Sequence, residues 1–559
     1  MKIRTSMVGL LAVFGLAAMT PAWAAEAAAD SKGAVPKAAQ DTAIAGHAMA
    51  PADAGFKSIF DGKTLTGWDG DPSLWRVEDG VIVGQTTADK PIKYNTFLIW
   101  RQGEVDDFEL TFDYRITGGN SGVQYRSWEL PENPGKWGKW VMAGNQADID
   151  AKNKFTGILY SEKARDVLAL RGQRVIVGDD HKPKVIEQFG NSDELRKAIH
   201  DSDWNSYRVV GQGPHLIQEI NGQKMVDVMD EDATGGRRSG LIAFQLHVGE
   251  PMKFEIRNVL LKRLPMESRK KIVFVAGPAT HGYGEHEHPA GCLLLAKLLN
   301  ESVPEVFATV YRGWPTDPTA FDNANAVVVF SDGGEGNLIV DKHLDEIDAL
   351  AKRGLGLAFL HYALELPKGR SGDRMLEWIG GYYEPSWSVN PRWTANFTKM
   401  ADHPITRGVK PFEITDEWYY HMRFTDKFAK SVTTILEAIP PDSTRGPDGT
   451  HSGNPTVRAR KGMPEVVAWA FERPSGGRGF GWTGGHFQWN FAHESYRKLM
   501  LNALVWIAGA EVPKQGVVSK MPTLQDLLEN LEKPRPADFD MAAIERQLAQ
   551  WAAMTQPAK

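Results

Sequence analysis

The densest group of chemically able side chains lies in Thr280-His-Gly-Tyr-Gly-Glu-His-Glu-His288. His281, Glu285, His286 and His288 put imidazole and carboxylate donors together, a set that suits a divalent ion such as Zn²⁺. His281, Glu285 and His286 are the candidate ligands; the spacing matches no standard metal motif, and a helix-initiating loop whose histidines bond to backbone and to one another is the competing reading. His361 ends the apolar run Leu355–Leu360, and Ser331-Asp-Gly-Gly-Glu-Gly336 follows another such run. The glycines there could cradle an anion on backbone N–H groups, but without Lys-Ser/Thr they form no P-loop. No nicotinamide or nucleotide is expected; a divalent metal is the cofactor left open.

A second constellation lies earlier in the chain. In Ser121–Trp128, strict alternation puts Gln124, Arg126 and Trp128 on one face, and in Gly240–Val248 it sets Gln245 and His247 opposite Ile242, Phe244, Leu246 and Val248. Amides match pairs of hydroxyls and an indole stacks on the apolar face of a pyranose, so this face could hold a sugar. An ordinary solvated outer face is the alternative.

Two kinds of framework must carry these groups. From Gly55 to Leu264 the sequence alternates with period two: in Asp107–Thr117, Phe108, Leu110, Phe112, Tyr114 and Ile116 share a face, and Asn221-Gly222 marks a two-residue hairpin. An all-β two-sheet sandwich or jelly roll is expected. From Lys270 to Ala510 the pattern becomes strand–helix alternation, with strands at Lys271–Ala276, Ala326–Phe330 and Leu355–Leu360 and helical windows at Ala290–Asn300 and Asp341–Arg353. That predicts a parallel α/β sheet, with ligands at the carboxyl ends of its strands. The join at Leu264–Lys270 is short and polar, so the halves are expected to fold separately. Gly509–Lys559, beyond the second domain, is expected to be a docking tail.

Composition narrows the function. The chain of 559 residues is 42% hydrophobic and carries a net charge of −6, which offers no basic surplus for nucleic acid. One cysteine, Cys292, excludes an internal disulfide and multi-cysteine metal clusters. Lys2, Arg4, the apolar Met7–Met19 and Ala22-Trp-Ala24 read as an export signal over residues 1–24, followed by a flexible linker over 25–54. A periplasmic or secreted protein without a membrane anchor is expected.

Ser58-Ile-Phe-Asp-Gly-Lys-Thr-Leu-Thr-Gly-Trp68, Asn120-Ser-Gly-Val-Gln-Tyr-Arg126, Asp203-Trp-Asn205 and Phe254-Glu-Ile-Arg-Asn-Val259 resemble the 3-keto-disaccharide hydrolase domain, a concanavalin-like jelly roll. The family's Glu-x-Gln-x-x-Asp segment corresponds to Gly144-Asn-Gln-Ala-Asp-Ile-Asp150, which retains Gln146 and leaves Asp148 and Asp150 as the acidic member. The His281–His288 loop, Gly354–Ala363, Asp402-His-Pro-Ile-Thr-Arg-Gly408, Asp416-Glu-Trp-Tyr419 and Gly484-Gly-His486 resemble the ThuA-like (trehalose utilisation) domain, which has the class I glutamine amidotransferase fold. That resemblance adds Glu417 and His486 to His281, Glu285, His286, His288 and His361 as the second-domain site. Where the amidotransferases carry a nucleophilic Cys, this chain reads Leu360-His-Tyr-Ala363, so glutamine-dependent amide transfer is rejected.

The resemblances imply an exported enzyme that cleaves 3-keto-glycosides. A C3 carbonyl acidifies C2–H and sets the C1–O bond beta to the enolate, so the aglycone can leave by elimination and water can add back. This needs a base, an oxyanion stabiliser and a proton donor. His247 is the candidate base with Asp148 as competitor, Arg126 the enolate stabiliser, Trp128 the stacking wall, and Asn120, Gln124, Gln146 and Gln245 the hydroxyl-binding groups. Two alternatives stand beside it: a jelly roll that binds glycans without catalysis, attached to a ThuA-like enzyme or scaffold, and a second half that is a metal-dependent lyase or isomerase of keto-sugars.

Overall fold

The computed structural model describes residues 55–340 and 342–555. The expected export signal and linker lie outside these residues. Among the described residues, no helix is long and apolar enough to cross a membrane.

Residues up to Arg263 form two packed antiparallel-rich sheets, one 10-stranded and one 7-stranded. Strand Phe108–Thr117 shows why the alternation works: Phe108, Leu110, Phe112, Tyr114 and Ile116 are buried in the core between the sheets, while the intervening residues face outward. Asn221 and Gly222 both have positive φ (51° and 78°) and close the hairpin between strands His215–Ile220 and Gln223–Asp230. Both residues of such a turn need the left-handed region, which Asn and Gly tolerate best.

Strand Asn120–Glu129 departs from strict alternation. Gln124 pairs with Gln146, but Trp128 pairs with Ala143 after a register shift. One extra residue is therefore accommodated between them, at a bulge where Arg126 takes φ 50°. Such a slip turns every later side chain to the opposite face. Trp128 consequently does not share the face of Gln124; it lies under Arg237, whose guanidinium carbon is 4.2 Å from the ring centroid.

The second half is a 7-stranded sheet. Val306–Arg312, Lys270–Ala276, Ala326–Phe330, Gly356–Leu360 and Arg478–Trp482 run parallel, and Glu465–Glu472 and Val432–Ala438 complete it antiparallel. Helices His288–Ser302, Leu344–Lys352 and Glu494–Ile507 bury apolar faces beside it. Cys292, on the first of these helices, is buried in the core.

The join between the halves holds a buried charge cluster. Asp106 meets Lys271 Nζ at 2.6 Å and Arg263 at 3.4 Å, accepts a hydrogen bond from Asn323 Nδ2 at 2.9 Å, and Arg263 continues to Asp317 at 2.8 Å. Asp106 and Arg263 come from the sandwich, and Lys271, Asp317 and Asn323 from the α/β half. In this shared cluster each half supplies the counter-charge of the other.

Candidate functional site

Two arrangements have the chemistry of a site. The first lies on the outer face of the 7-stranded sandwich sheet. Register places Gln124, Gln146 and Tyr160 side by side across three strands, with Glu162 opposite Gly144 and Gln245 opposite Phe97. Gln124 Nε2 donates to Gln146 Oε1 at 3.2 Å, and Gln146 Nε2 donates to Asp148 Oδ1 at 2.8 Å and to Gln245 Oε1 at 3.3 Å. Two atoms of this buried net, Gln124 Oε1 and Gln245 Nε2, have no hydrogen-bond partner. A free acceptor and a free donor, both desolvated, cost energy in the empty state and suit a hydroxyl-bearing ligand.

Burial pushes the Asp148 carboxyl up to about 7; the Gln146 hydrogen bond opposes this, and nearby Asp150 and Glu162 reinforce it. Of the two acidic candidates, Asp150 is committed elsewhere: its carboxylate accepts from the backbone N–H groups of Lys154, Phe155 and Thr156 and so shapes that loop. Glu162 and Tyr160 were missed from sequence, although the alternation in Leu159–Glu162 places them on this face.

The other residues expected here are placed differently. Arg126 is fully buried, with Nε donating to Asp106 O, Nη1 to Gly213 O and Nη2 to Asp107 Oδ1 at 2.7–2.9 Å. The bulge has turned it away from the amide face, and each of its three nitrogens donates to a group of the protein. His247 lies just past strand Leu241–Leu246, half-exposed, with Nδ1 donating to Val248 O at 2.6 Å. No hydrogen bond joins it to the amide net among the described residues. The period-two reading fails here because the strand has already ended.

The second arrangement gathers loops at the carboxyl ends of the parallel strands. His286 follows Lys270–Ala276, His361 follows Gly356–Leu360 and His486 follows Arg478–Trp482, while Glu417 follows Phe412–Asp416, a strand of a separate two-stranded antiparallel sheet. Their donor atoms lie within 4.8 Å of one another. His286 Nε2 is 3.0 Å from His361 Nε2 and 2.9 Å from His486 Nδ1, and Glu417 Oε2 is 3.0–3.8 Å from all three. A tetrahedral ion with bonds of about 2.0–2.1 Å needs ligands spaced by roughly 3.4 Å. His361 Nδ1 donates to Thr483 O at 2.7 Å, so its Nε2 lone pair points inward. Three imidazole nitrogens and a carboxylate cannot converge this closely without a proton or cation among them, and the donor set fits a divalent ion. Burial resists ionisation of Glu417, but hydrogen bonds from His286, His361 and His486 hold its carboxyl far below the usual range.

Asp416 braces the centre. Its carboxylate accepts from the N–H groups of Glu417, Gly485 and His486 and from Tyr496 Oη, tying two ligand-bearing loops to one buried group. His281, His286 and His361 have φ of 62°, 46° and 54°, strained values for residues other than glycine. The His281–His286 loop is clamped from outside by the tail: Glu287 accepts from the N–H groups of Glu532 and Lys533, and Glu532 accepts from Ala279 N–H. Gly284 (φ 76°) lets the loop pass within 2.3 Å of Trp489 as measured from an added Cβ, so no other residue fits.

Three candidates of this loop stand outside the convergent four: Glu285, His288 and His281, which lies beside His286 with ring centroids 3.7 Å apart. Glu285 carries its carboxylate to Arg392 at 3.1 Å and lies 3.6 Å from His486 Nε2, behind the ring. With Nδ1 given to a cation, Nε2 keeps its proton, and Glu285 is the acceptor within reach; half-exposed Arg392, which donates to that nitrogen at 2.7 Å, has to yield it. His288 begins the helix, donates through Nδ1 to Pro278 O and packs edge-on against Phe330; burial lowers its imidazole to about 3. A cavity of about 660 Å³ opens beside the centre, lined by Asp332, Gly333, Tyr362, Glu365, Lys368 and Glu384. Burial raises the Glu365 carboxyl, opposed by His451 at 3.3 Å.

Comparison with known proteins matches both halves. Residues 55–262 fit the family model of the 3-keto-alpha-glucoside-1,2-lyase-like domain, and residues 272–507 fit that of trehalose utilisation (ThuA). A curated 3-keto-disaccharide hydrolase of Bacteroides thetaiotaomicron is 37% identical over 89 residues, 14% of this chain, and the match spans 30% of that relative's length. Among solved structures, a protein described as a glycosyl hydrolase from Parabacteroides distasonis is 24% identical, covering 38% of this chain and 94% of its own (TM-score 0.24). A protein described as ThuA-like from Bacteroides uniformis is 16% identical, covering 43% of this chain and 91% of its own (TM-score 0.31).

Proposed function

We propose, for a chain that joins a 3-keto-disaccharide hydrolase-like domain to a ThuA domain, that its carbohydrate-active role is the cleavage of 3-keto-glycosides, carried out after export from the cytoplasm. The observation that carries this reading is Asp148, a buried carboxyl pushed up to about 7 within a net of glutamines that leaves one donor and one acceptor open. A base that removes a carbon-bound proton works best with a pKa near the working pH. Asp148 takes the C2 proton and passes it to the aglycone oxygen as the C1–O bond breaks, and water then adds OH to C1 and H to C2 to complete net hydrolysis. Gln245 Nε2–H is the unpaired donor suited to the developing oxyanion, in place of Arg126, whose three nitrogens all donate within the protein.

The test is incubation with a 3-keto-glucoside in D₂O. Enzyme-dependent deuterium should appear at C2 of the released 3-keto-glucose, and Asp148→Asn should lower turnover about 10²–10⁴-fold. Cleavage without C2 label, or a loss well under tenfold, overturns the assignment.

A second reading concerns the α/β half, and the convergence of His286, His361, Glu417 and His486 beside the cavity favours it. These four residues would hold a divalent cation, which would supply Lewis-acid polarisation of a carbonyl oxygen by taking it as a fifth ligand. Glu365, at the cavity wall, is the acid–base group for a keto-sugar lyase or isomerase.

A further inference from the structure

His286 presents one nitrogen to each of two donor groups. Its Nε2 faces His361, His486 and Glu417; its Nδ1 faces away, 3.7 Å from Asp332 Oδ1, and has no hydrogen-bond partner although the residue is 1% exposed. His281 stands on the same side, its ring centroid 3.7 Å from that of His286, and one donor atom each from His281, His286 and Asp332 falls within 4.8 Å of the others.

We propose that His286 bridges two cation sites: the four-residue centre and a second, three-residue site made by His281, His286 Nδ1 and Asp332. This rests on the cation reading of the four-residue centre and extends it. At 3.7 Å, the gap between His286 Nδ1 and Asp332 is too long for a hydrogen bond and close to what two ligands of one ion with bonds of about 2.0–2.2 Å require. The tautomer of His281 agrees. Thr280 has a single hydroxyl proton, given to Asp332 Oδ1 at 2.7 Å, so at 3.0 Å His281 Nδ1 must be the donor to Thr280 Oγ1. That leaves His281 Nε2 with a free lone pair.

The second site has three protein donors, and Asp332 also lines the 660 Å³ cavity, so its remaining position is open to the cavity. Three protein ligands with an open position are the pattern of reactive rather than structural sites. Two cations on one imidazole need it as imidazolate, so filling the second site releases the last ring proton of His286 to solvent. The ligand class that suits such a pair is a compound with adjacent oxygens, such as an α-hydroxyketone of a sugar.

The experiment uses the full-length untagged protein, stripped with chelator and titrated with Zn²⁺ alone. Calorimetry in buffers of different ionisation enthalpy measures protons released, and elemental analysis after desalting measures bound zinc. Two Zn²⁺ per chain are expected, the second with release of the His286 ring proton, and both Asp332→Asn and His281→Gln should reduce the count to one. One Zn²⁺ in the wild type, unchanged in both variants, overturns the second site and leaves the four-residue centre standing. Two that persist in both folded variants put the second ion elsewhere and overturn it as well. No binding at all overturns the centre itself.

Discussion

At the scale of single residues, Asp148 ties activity to stability. Its folded carboxyl is raised to about 7, above the roughly 3.9 of an unfolded Asp. The favourable contribution of the neutral form is full below about pH 4 and is lost as pH rises through 7, where ionisation of a buried group becomes costly. Asp148→Asn should therefore unfold at higher temperature than the wild type at pH 8, by a margin worth about 2–4 kcal/mol, and the two should converge below pH 4. Thermal melts across that range check this. As a base, Asp148 works ionised, so kcat/KM should rise with pH and level off above about 7. Gln146→Ala removes a donor to the carboxylate and should move that limb upward. A limb that stays in place in this variant would assign the titration to another group.

At the scale of elements, the bulge in Asn120–Glu129 decides which residues can touch substrate. Arg126→Ala leaves the buried Asp107 without its cation and should cost about 3–5 kcal/mol of stability in denaturant titration. Turnover per folded molecule should change little, the reverse of what an enolate-binding arginine would show. The alternation of Phe108–Thr117, the Asn221-Gly222 hairpin and the parallel strands ending before Ser331 and His361 were legible in the sequence, because each is a local pattern imposed by burial on a regular backbone. The bulge was not legible: it is a property of the pairing between Asn120–Glu129 and Met142–Asp150, and nothing in either strand alone announces the shift. The convergence of His286 with His361, Glu417 and His486 was only partly legible. Residues 75 and 200 positions apart meet through strand order, which motif order along the chain does not specify. Adjacency in sequence overvalued Glu285 and His288, whose side chains leave the loop in other directions.

At the scale of the whole molecule, the charge cluster ties the two halves together at their join. Burial alone would raise the Asp106 carboxyl, but Lys271 and Arg263 hold it well below the ordinary range. Its contribution is therefore present above about pH 4 and fades as pH falls toward its lowered folded value. Asp106→Asn strands the Lys271 ammonium in the interior and should cost about 3–5 kcal/mol at neutral pH. It should also flatten the acid limb of stability against pH, measured by denaturant midpoints. A wild-type-like acid limb in the variant would mean that other carboxylates govern it.

The clamp between Glu287 and Glu532 also imposes an order in time. The two residues are 245 positions apart, so Glu532 leaves the ribosome long after the loop it secures. Domains generally fold in the order of synthesis, which leaves the sandwich and the parallel sheet complete while the His281–His286 loop still awaits its outer contact. The histidine centre is then completed later than either sheet in a newborn chain. A chain stopped after Val512 should keep the far-ultraviolet signature of both sheets yet lose at least tenfold in Zn²⁺ affinity, the scale on which outer supports of metal ligands act. Undiminished binding in that shortened chain would show that the loop sets itself without the clamp.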